Sequence, residues 1–101
     1  MYKIALCCSA GMSTSMLVKK MQEAAEARQI DAEITAYSMS EFDEVIKEHD
    51  VYLLGPQVRF MLNDLSQKAA ELNKKVEAID PVAYGTMQGS KVLDQAIALI
   101  G

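Results

Sequence analysis

A cysteine followed by small and polar residues is the feature of this 101-residue chain best suited to chemistry. The stretch reads Cys8-Ser9-Ala10-Gly11-Met12-Ser13-Thr14-Ser15 and follows a short apolar run. Small residues allow backbone N–H groups to turn toward a common centre, and the start of a following helix adds unpaired N–H groups and a favourable dipole. Such an environment binds phosphate and favours the thiolate form of a cysteine. The sequence therefore predicts Cys8 as a nucleophile toward a phosphoryl group, with Ser9 through Ser15 holding the phosphate.

The predicted phosphate loop lacks an arginine. Cysteine-dependent phosphatases place one at the sixth position after their cysteine, where its guanidinium clamps the phosphoryl group. Counted from Cys8 that position is Thr14, and no arginine occurs between Cys8 and Ser15. A loop without this clamp is better suited to carrying a phosphocysteine and passing it on than to hydrolysing it. The residue types thus favour a phosphoryl carrier over a hydrolase.

The elements that position this loop follow from the hydrophobic pattern. Apolar or alternating runs predict short strands, and apolar residues at three- and four-residue spacing predict helices. Ser13 and Thr14 are predicted N-caps of the first helix. Tyr84 and Gly85 are predicted to form a turn. The predicted strands cover 4–7, 32–37, 51–54 and 76–79. The predicted helices cover 17–28, a short segment ending at 47, 58–72 and 92–100.

Alternation of strands and helices predicts an α/β three-layer sandwich with a four-stranded parallel sheet. The expected strand order is 2-1-3-4, a flavodoxin-like arrangement shared with low-molecular-weight phosphatases. In such sheets the site lies at the carboxyl ends of the strands, beside the point where the strand order reverses. The loops after Cys7, Leu54 and Ile79 should therefore meet there.

Composition excludes several classes of function. A formal charge of −4, from 10 basic and 14 acidic residues, argues against nucleic acid or an anionic membrane as the main partner. No apolar run is long enough for membrane insertion, and the N-terminus lacks the basic start of a signal peptide. Two adjacent cysteines and one histidine fit neither a disulfide framework nor a zinc site. We expect one cytosolic domain over residues 1–101, without a metal or cofactor.

Four residues in the converging loops are secondary candidates. Asp80 precedes Pro81 after the last strand, where low-molecular-weight phosphatases place a general acid, but an Asp there also suits a helix N-cap. Tyr84 either borders the phosphate or packs in the core. Gln57 begins the segment after the third strand, and Arg59 follows it as either a site residue or a solvated surface residue.

Three further residues have competing interpretations. Cys7 lies inside the first strand and is predicted to be a small buried core residue. Met12 is either a core anchor or part of an adaptable docking surface. His49 precedes the third strand at its amino end, away from the predicted chemistry, and is predicted to lie on the surface.

The motifs resemble those of a known family. The segment from Cys8 to Ser15, Leu54-Gly55-Pro56-Gln57-Val58, and the segment from Asp80 to Gly85 look like the IIB component of the lactose/cellobiose family of the bacterial sugar phosphotransferase system. The similarity covers nearly the whole chain in length, element order and motif position. The first motif is specific, the second supports it, and the third is weaker.

The resemblance implies a phosphotransferase that works without a cofactor. Cys8 would accept a phosphoryl group from a phosphohistidine on a cognate IIA protein. It would then transfer the group to a sugar that enters through the membrane-embedded IIC component. The family handles β-linked disaccharides such as cellobiose and lactose. The domain would work in the cytoplasm, in peripheral association with IIC.

Two other functions stay open at this point. A hydrolase similar to low-molecular-weight protein tyrosine phosphatases would use the same loop, although the absence of arginine at Thr14 counts against it. A thiol-based redox or anion-sensing module would use Cys7 and Cys8 together, since the second cysteine departs from the family pattern.

Overall fold

The sheet has four parallel strands in the order β2-β1-β3-β4, as predicted. The structure, a computed structural model, describes residues 1–8 and 11–101, with only the backbone described for 11–13. The strands are β1 (Tyr2–Cys8), β2 (Ala32–Ser38), β3 (Val51–Leu54) and β4 (Lys75–Ala78). Continuous apolar runs form β1 and β3 because both strands are covered on both faces.

Helices cover both faces of this sheet and give the expected three layers. The helices are α1 (Gly11–Ala27), α2 (Phe42–Val45), α3 (Leu62–Ala70), α4 (Pro81–Gly85) and α5 (Gly89–Ile100), with 3₁₀ helices at Met39–Glu41 and Pro56–Met61. Among the helices formed by the described residues, none is long and apolar enough to cross a membrane.

Strand β1 divides the core in two because successive side chains point to opposite faces. Ile4 and Leu6 pack with α1, α4 and α5 on one face. Ala5 and Cys7 pack with α2 and α3 on the other. By the same alternation, the side chain of Cys8 lies on the same face of the sheet as that of Leu6.

Helices α1 and α5 approach each other at backbone distance. A Cβ atom at Gly89 would lie 2.6 Å from the backbone nitrogen of Met21, so only glycine fits at this crossing. The close contact fixes α1 against α5.

Three local predictions were wrong. Helix α1 begins at Gly11, so Ser13 and Thr14 lie inside its first turn and do not precede it as N-caps. The predicted helix over 58–72 begins as a 3₁₀ helix, because Val58 has a φ of −120° that interrupts regular helical geometry. The predicted turn at 84–85 belongs to α4, a short helix that Asp80 caps.

His49 is buried, although its position in the sequence predicts a surface residue. Its side chain is 3% exposed, and its ring packs edge-on against Tyr37 and Tyr52 at centroid distances of 5.2 and 5.8 Å. The backbone N–H of His49 donates to Tyr52 Oη at 3.1 Å. Burial therefore results from ring packing with Tyr52 in the next strand and with Tyr37 twelve positions earlier, which the local hydrophobic pattern does not reveal.

Candidate active site

The two cysteines point to opposite sides of the sheet. Both are described and buried, and neither takes part in a disulfide. Cys7 lies in the core with α2 and α3, as predicted, and burial raises its pKa to about 12, with smaller contributions from Cys8 and Glu41. Cys7 therefore keeps its proton at neutral pH and has little nucleophilic character.

Cys8 lies at the carboxyl edge of the sheet, where β1 extends beyond β3. Cys7 pairs with Leu54, the last residue of β3, so Cys8 has a strand partner only in Ser38 of β2. The side chain of Cys8 is fully covered, at 1% exposure. This position is the topological switch point, where parallel α/β sheets bind their ligands.

Thr14 holds the sulfur of Cys8 by a direct hydrogen bond. Its Oγ1 donates to Cys8 Sγ at 2.7 Å, and the Thr14 side chain is completely buried. A hydroxyl has one proton to donate. The contact between Thr14 Oγ1 and Tyr84 Oη, at 3.4 Å, must then have the tyrosine as donor.

Gln57 completes a chain of hydrogen bonds that ends on the sulfur. Its Nε2 donates to Tyr84 Oη at 3.3 Å. The direction of donation is therefore Gln57 to Tyr84, Tyr84 to Thr14, and Thr14 to Cys8. We call these four residues the thiol network. All donors point toward the sulfur, so Cys8 Sγ is the final acceptor of this chain of hydrogen bonds.

The thiol network draws one residue from each of four chain segments, as the predicted convergence of loops requires. Cys8 ends β1, Thr14 lies in the first turn of α1, Gln57 follows β3 and Tyr84 lies on α4 after β4. Tyr84 is 8% exposed and packs in the core, which is one of the two alternatives for it, while its Oη also joins the thiol network.

Gly55 gives Cys8 the space that it needs, a role that sequence reasoning missed. A Cβ atom at Gly55 would lie 3.2 Å from Cys8 Cβ and 2.8 Å from Gln57 Oε1. The backbone N–H of Gly55 also donates to Cys7 O at 2.8 Å, which extends the pairing of β1 past the end of β3. The Gly55-Pro56 pair after an apolar strand was the sequence signal from which this role could have been predicted.

Asp80 serves as a helix cap. Its Oδ1 accepts a hydrogen bond from Val82 N at 3.1 Å, and its backbone carbonyl accepts from Tyr84 N at 2.9 Å. The carboxylate thus caps the amino-terminal end of α4, the helix that carries Tyr84. Arg59 is exposed, and its guanidinium makes no hydrogen bond or ion pair with any described residue.

The structure describes only some of the other residues that are predicted to hold the phosphate. Ser9 and Ala10 lie outside the described residues. Gly11, Met12 and Ser13 form the first turn of α1 by their backbone, and Ser15 is exposed on the same helix. Backbone N–H groups at 11 through 14 lack carbonyl partners within α1, as in every helix.

Among the side chains that the structure describes, three large apolar ones are exposed on the elements that carry the thiol network. They are Met16 on α1 at 61% exposure, Phe60 after β3 at 80%, and Val82 on α4 at 66%. Each lies within three residues of Thr14, Gln57 or Tyr84 along the chain. We call Met16, Phe60 and Val82 the apolar rim.

Comparison with known proteins identifies the family. The model of the family described as "PTS system, Lactose/Cellobiose specific IIB subunit" matches residues 3–95. The oligo-beta-mannoside-specific EIIB component of Bacillus subtilis is 43% identical over 100 residues, which cover 99% of this chain and 97% of that protein. The galactose-specific EIIB component of Lactococcus lactis subsp. cremoris is 45% identical over 98 residues, covering 92% of this chain and 91% of that protein.

A solved structure agrees with the sequence comparisons. The solution structure of the cellobiose-specific phosphotransferase IIB component from Borrelia burgdorferi has a TM-score of 0.81 and 40% identity, covering 98% of this chain and 91% of that one. The family model and both relatives span nearly the whole chain. The chain therefore belongs to the lactose/cellobiose family of IIB subunits, the phosphotransferases that act in sugar phosphorylation during transport by the phosphotransferase system.

Proposed function

We propose that this chain is a phosphoryl carrier whose reactive atom is Cys8 Sγ. The donor is a phosphohistidine of a cognate IIA protein, and the acceptor is a sugar held by the membrane-embedded IIC component. The observation that carries the proposal is the hydrogen bond of 2.7 Å from Thr14 Oγ1 to Cys8 Sγ at the carboxyl edge of the sheet. Family membership supports cooperation with IIA, IIC and a sugar.

In the first step, a lone pair of the Cys8 thiolate attacks the phosphorus of the phosphohistidine in line with the bond to be broken. The S–P bond forms and the P–N bond breaks, and the electron pair of that bond stays on the imidazole of the donor. Backbone N–H groups of residues 9 to 15 hold the three equatorial oxygens, with no metal in this scheme. Positioning and charge stabilisation supply most of the rate.

In the second step, a sugar hydroxyl attacks the phosphorus of the phosphocysteine. The O–P bond forms, the S–P bond breaks, and the electron pair returns to Cys8 as a thiolate. The hydroxyl proton passes to a base on the transporter side. Thr14 serves both steps, because its hydroxyl stabilises the sulfur anion as attacking group and again as leaving group.

The thiol network also favours a carrier over the phosphatase alternative. A hydrolase of that type needs an arginine clamp and a general acid near the leaving oxygen. Thr14 occupies the arginine position, and Asp80 directs its carboxylate oxygen to Val82 N. A phosphocysteine formed here therefore has little help toward hydrolysis and persists until a sugar arrives.

A redox role for the cysteine pair is disfavoured by the geometry of the pair. The raised pKa of Cys7, about 12, reflects its burial in the core on the far face of the sheet. A thiol in that setting is a poor redox partner for Cys8. We propose that Cys7 takes no part in the reaction.

The apolar rim is the proposed docking face for both partners. IIA and IIC must reach the same sulfur in turn, so their contacts must be transient and modest in area. Exposed Met16, Phe60 and Val82 provide apolar anchors around that point. We propose that residues 1–101 work as one cytoplasmic domain beside IIC and that the sugar is a β-linked disaccharide.

Transfer of a radioactive phosphoryl group tests this function. The chain is labelled with phosphoenolpyruvate, the general phosphotransferase proteins and a IIA protein, and then mixed with sugar and vesicles that contain IIC. Label should leave the chain and appear on the sugar only when IIC is present. Sustained hydrolysis of an aryl phosphate that is abolished by Cys8→Ala would instead establish the phosphatase.

A further inference from the structure

Gln95 on α5 ties the end of β4 to the start of α4. Its Nε2 donates to Glu77 Oε1 at 2.6 Å and to the carbonyl of Ala78 at 2.9 Å. Its Oε1 accepts from the backbone N–H of Asp80 at 3.3 Å. One side chain thus bonds Glu77 and Ala78 at the end of β4 and Asp80 at the start of α4, and it uses both its amide nitrogen and its amide oxygen.

This turn places Tyr84. Helix α4 has five residues, too few to be stable without external contacts. It is anchored through Asp80, whose carbonyl and carboxylate accept from Tyr84 N and Val82 N. The position of Tyr84 Oη therefore depends on where Gln95 holds Asp80.

The contact made by Tyr84 tolerates little movement. Tyr84 Oη lies 3.4 Å from Thr14 Oγ1 and 3.3 Å from Gln57 Nε2, near the upper limit for a hydrogen bond. A shift of Tyr84 Oη by a few tenths of an ångström away from these two atoms would break both hydrogen bonds. Thr14 would then lose the donor that orients its own hydroxyl toward Cys8.

We propose that Gln95 is a positioning residue for the Cys8 thiol, acting through Asp80 and Tyr84. The proposal rests on the function proposed above, in which the thiol network supports phosphoryl transfer. Gln95 touches none of the reacting atoms. Its effect comes from the geometry that it imposes on α4. The hydrogen-bond partners of Gln95 are partly or fully exposed, so water can take the place of the Gln95 amide in a variant.

A double-mutant cycle separates positioning from a general loss of stability. The variants are Gln95→Met, which keeps the length of the side chain, Tyr84→Phe, and the combination of both. The matched control is Gln22→Met, since Gln22 Nε2 also donates to a backbone carbonyl, that of Ile34 at 3.1 Å, but on the β2 side of the molecule. The rate of phosphoryl transfer from IIA and the thermal midpoint are measured for every variant.

We expect Gln95→Met to slow transfer about fivefold and Gln22→Met to change it by less than about twofold. In the Tyr84→Phe background, Gln95→Met should cause no further slowing, although its shift in thermal midpoint should persist. Equal slowing by Gln95→Met in both backgrounds would overturn the proposal, as would equal slowing by the two glutamine variants.

A second measurement does not depend on phosphoryl transfer. In NMR spectra, the nuclear Overhauser contact between the side chains of Thr14 and Tyr84, whose Oγ1 and Oη lie 3.4 Å apart, should weaken in Gln95→Met and persist in Gln22→Met. Retention of this contact in folded Gln95→Met would refute the proposal. If the wild-type chain is not phosphorylated but the contact still weakens, the proposed function fails while the link from Gln95 to Tyr84 stands.

Discussion

Thr14 Oγ1 donates a hydrogen bond of 2.7 Å to Cys8 Sγ, and this contact joins the end of the central strand to the first turn of the following helix. Six positions separate the two residues along the chain. The hydroxyl is the last donor of the thiol network and connects Gln57 and Tyr84 to the sulfur.

Replacement of Thr14 by valine should slow phosphoryl transfer about tenfold to a hundredfold, because a hydrogen bond to a charged sulfur is lost while the shape is kept. The measurement is the single-turnover rate of label transfer from phosphorylated IIA. Thr14→Ser keeps the hydroxyl and should recover most of the rate. Equal rates for the valine and serine variants would show that the hydroxyl is dispensable.

Gly55→Ala should reduce transfer about tenfold and lower the free energy of unfolding by about 1–3 kcal/mol, because its Cβ atom would crowd Cys8 and Gln57. Gly85→Ala is the matched control, since a Cβ atom there meets nothing within 4 Å. Its stability should stay within about 0.5 kcal/mol of wild type or rise. A Gly55→Ala variant as active as Gly85→Ala would contradict the packing seen around Cys8.

The buried thiol of Cys7 should make folding sensitive to alkaline pH. Its pKa is raised in the folded state, to about 12, so the folded protein retains a proton that the unfolded chain releases above pH 9.0. The stability from this group is therefore complete below pH 9.0 and is lost as pH rises toward 12.

Chemical denaturation of wild type and Cys7→Val across this range measures the effect. The free energy of unfolding of wild type should fall more steeply, by about 1.4 kcal/mol per pH unit, because the variant lacks the titrating thiol. Tyr52, whose pKa burial also raises to about 12, titrates in both proteins; because Cys7 makes a smaller Coulombic contribution to that pKa, the difference between the curves reports Cys7 together with its effect on Tyr52. Parallel curves would place Cys7 outside the core.

Phe60→Asp should weaken docking of the phosphoryl donor without destabilising the fold, since Phe60 is 80% exposed. Loss of an apolar anchor should cost about tenfold in transfer rate at limiting IIA concentration, and saturating IIA should restore the rate. Leu72→Asp is the control, because Leu72 lies beyond α3 at the amino-terminal edge of the sheet and is 37% exposed. If both variants behave alike, the apolar rim is not the docking face.

The sheet and its strand order were predictable from the sequence because apolar runs such as Val51 to Leu54 alternate with helical patterns in one simple order. The convergence of loops on Cys8 followed from parallel topology. The separate environments of Cys7 and Cys8 followed from the alternation of side chains along a strand.

Side-chain contacts between distant segments were not predictable. The hydroxyl of Thr14 has the local signature of a helix cap, and its bond to Cys8 depends on α1 starting earlier, at Gly11. Gln95 has the signature of an exposed helix residue, although its amide organises a turn fifteen positions away. Both roles arise from tertiary packing, which local periodicity does not encode.

Mapping the phosphoryl group by mass spectrometry tests the carrier role of Cys8 most directly. The wild-type chain, Cys7→Ser and Cys8→Ser are each incubated with phosphoenolpyruvate, the general phosphotransferase proteins and a panel of IIA proteins, then digested without acid. A phosphoryl adduct on Cys8 in the wild type and in Cys7→Ser, and none in Cys8→Ser, is the expected result. An adduct on another residue, or none with any IIA protein, would contradict the assignment of Cys8 as the phosphoryl carrier.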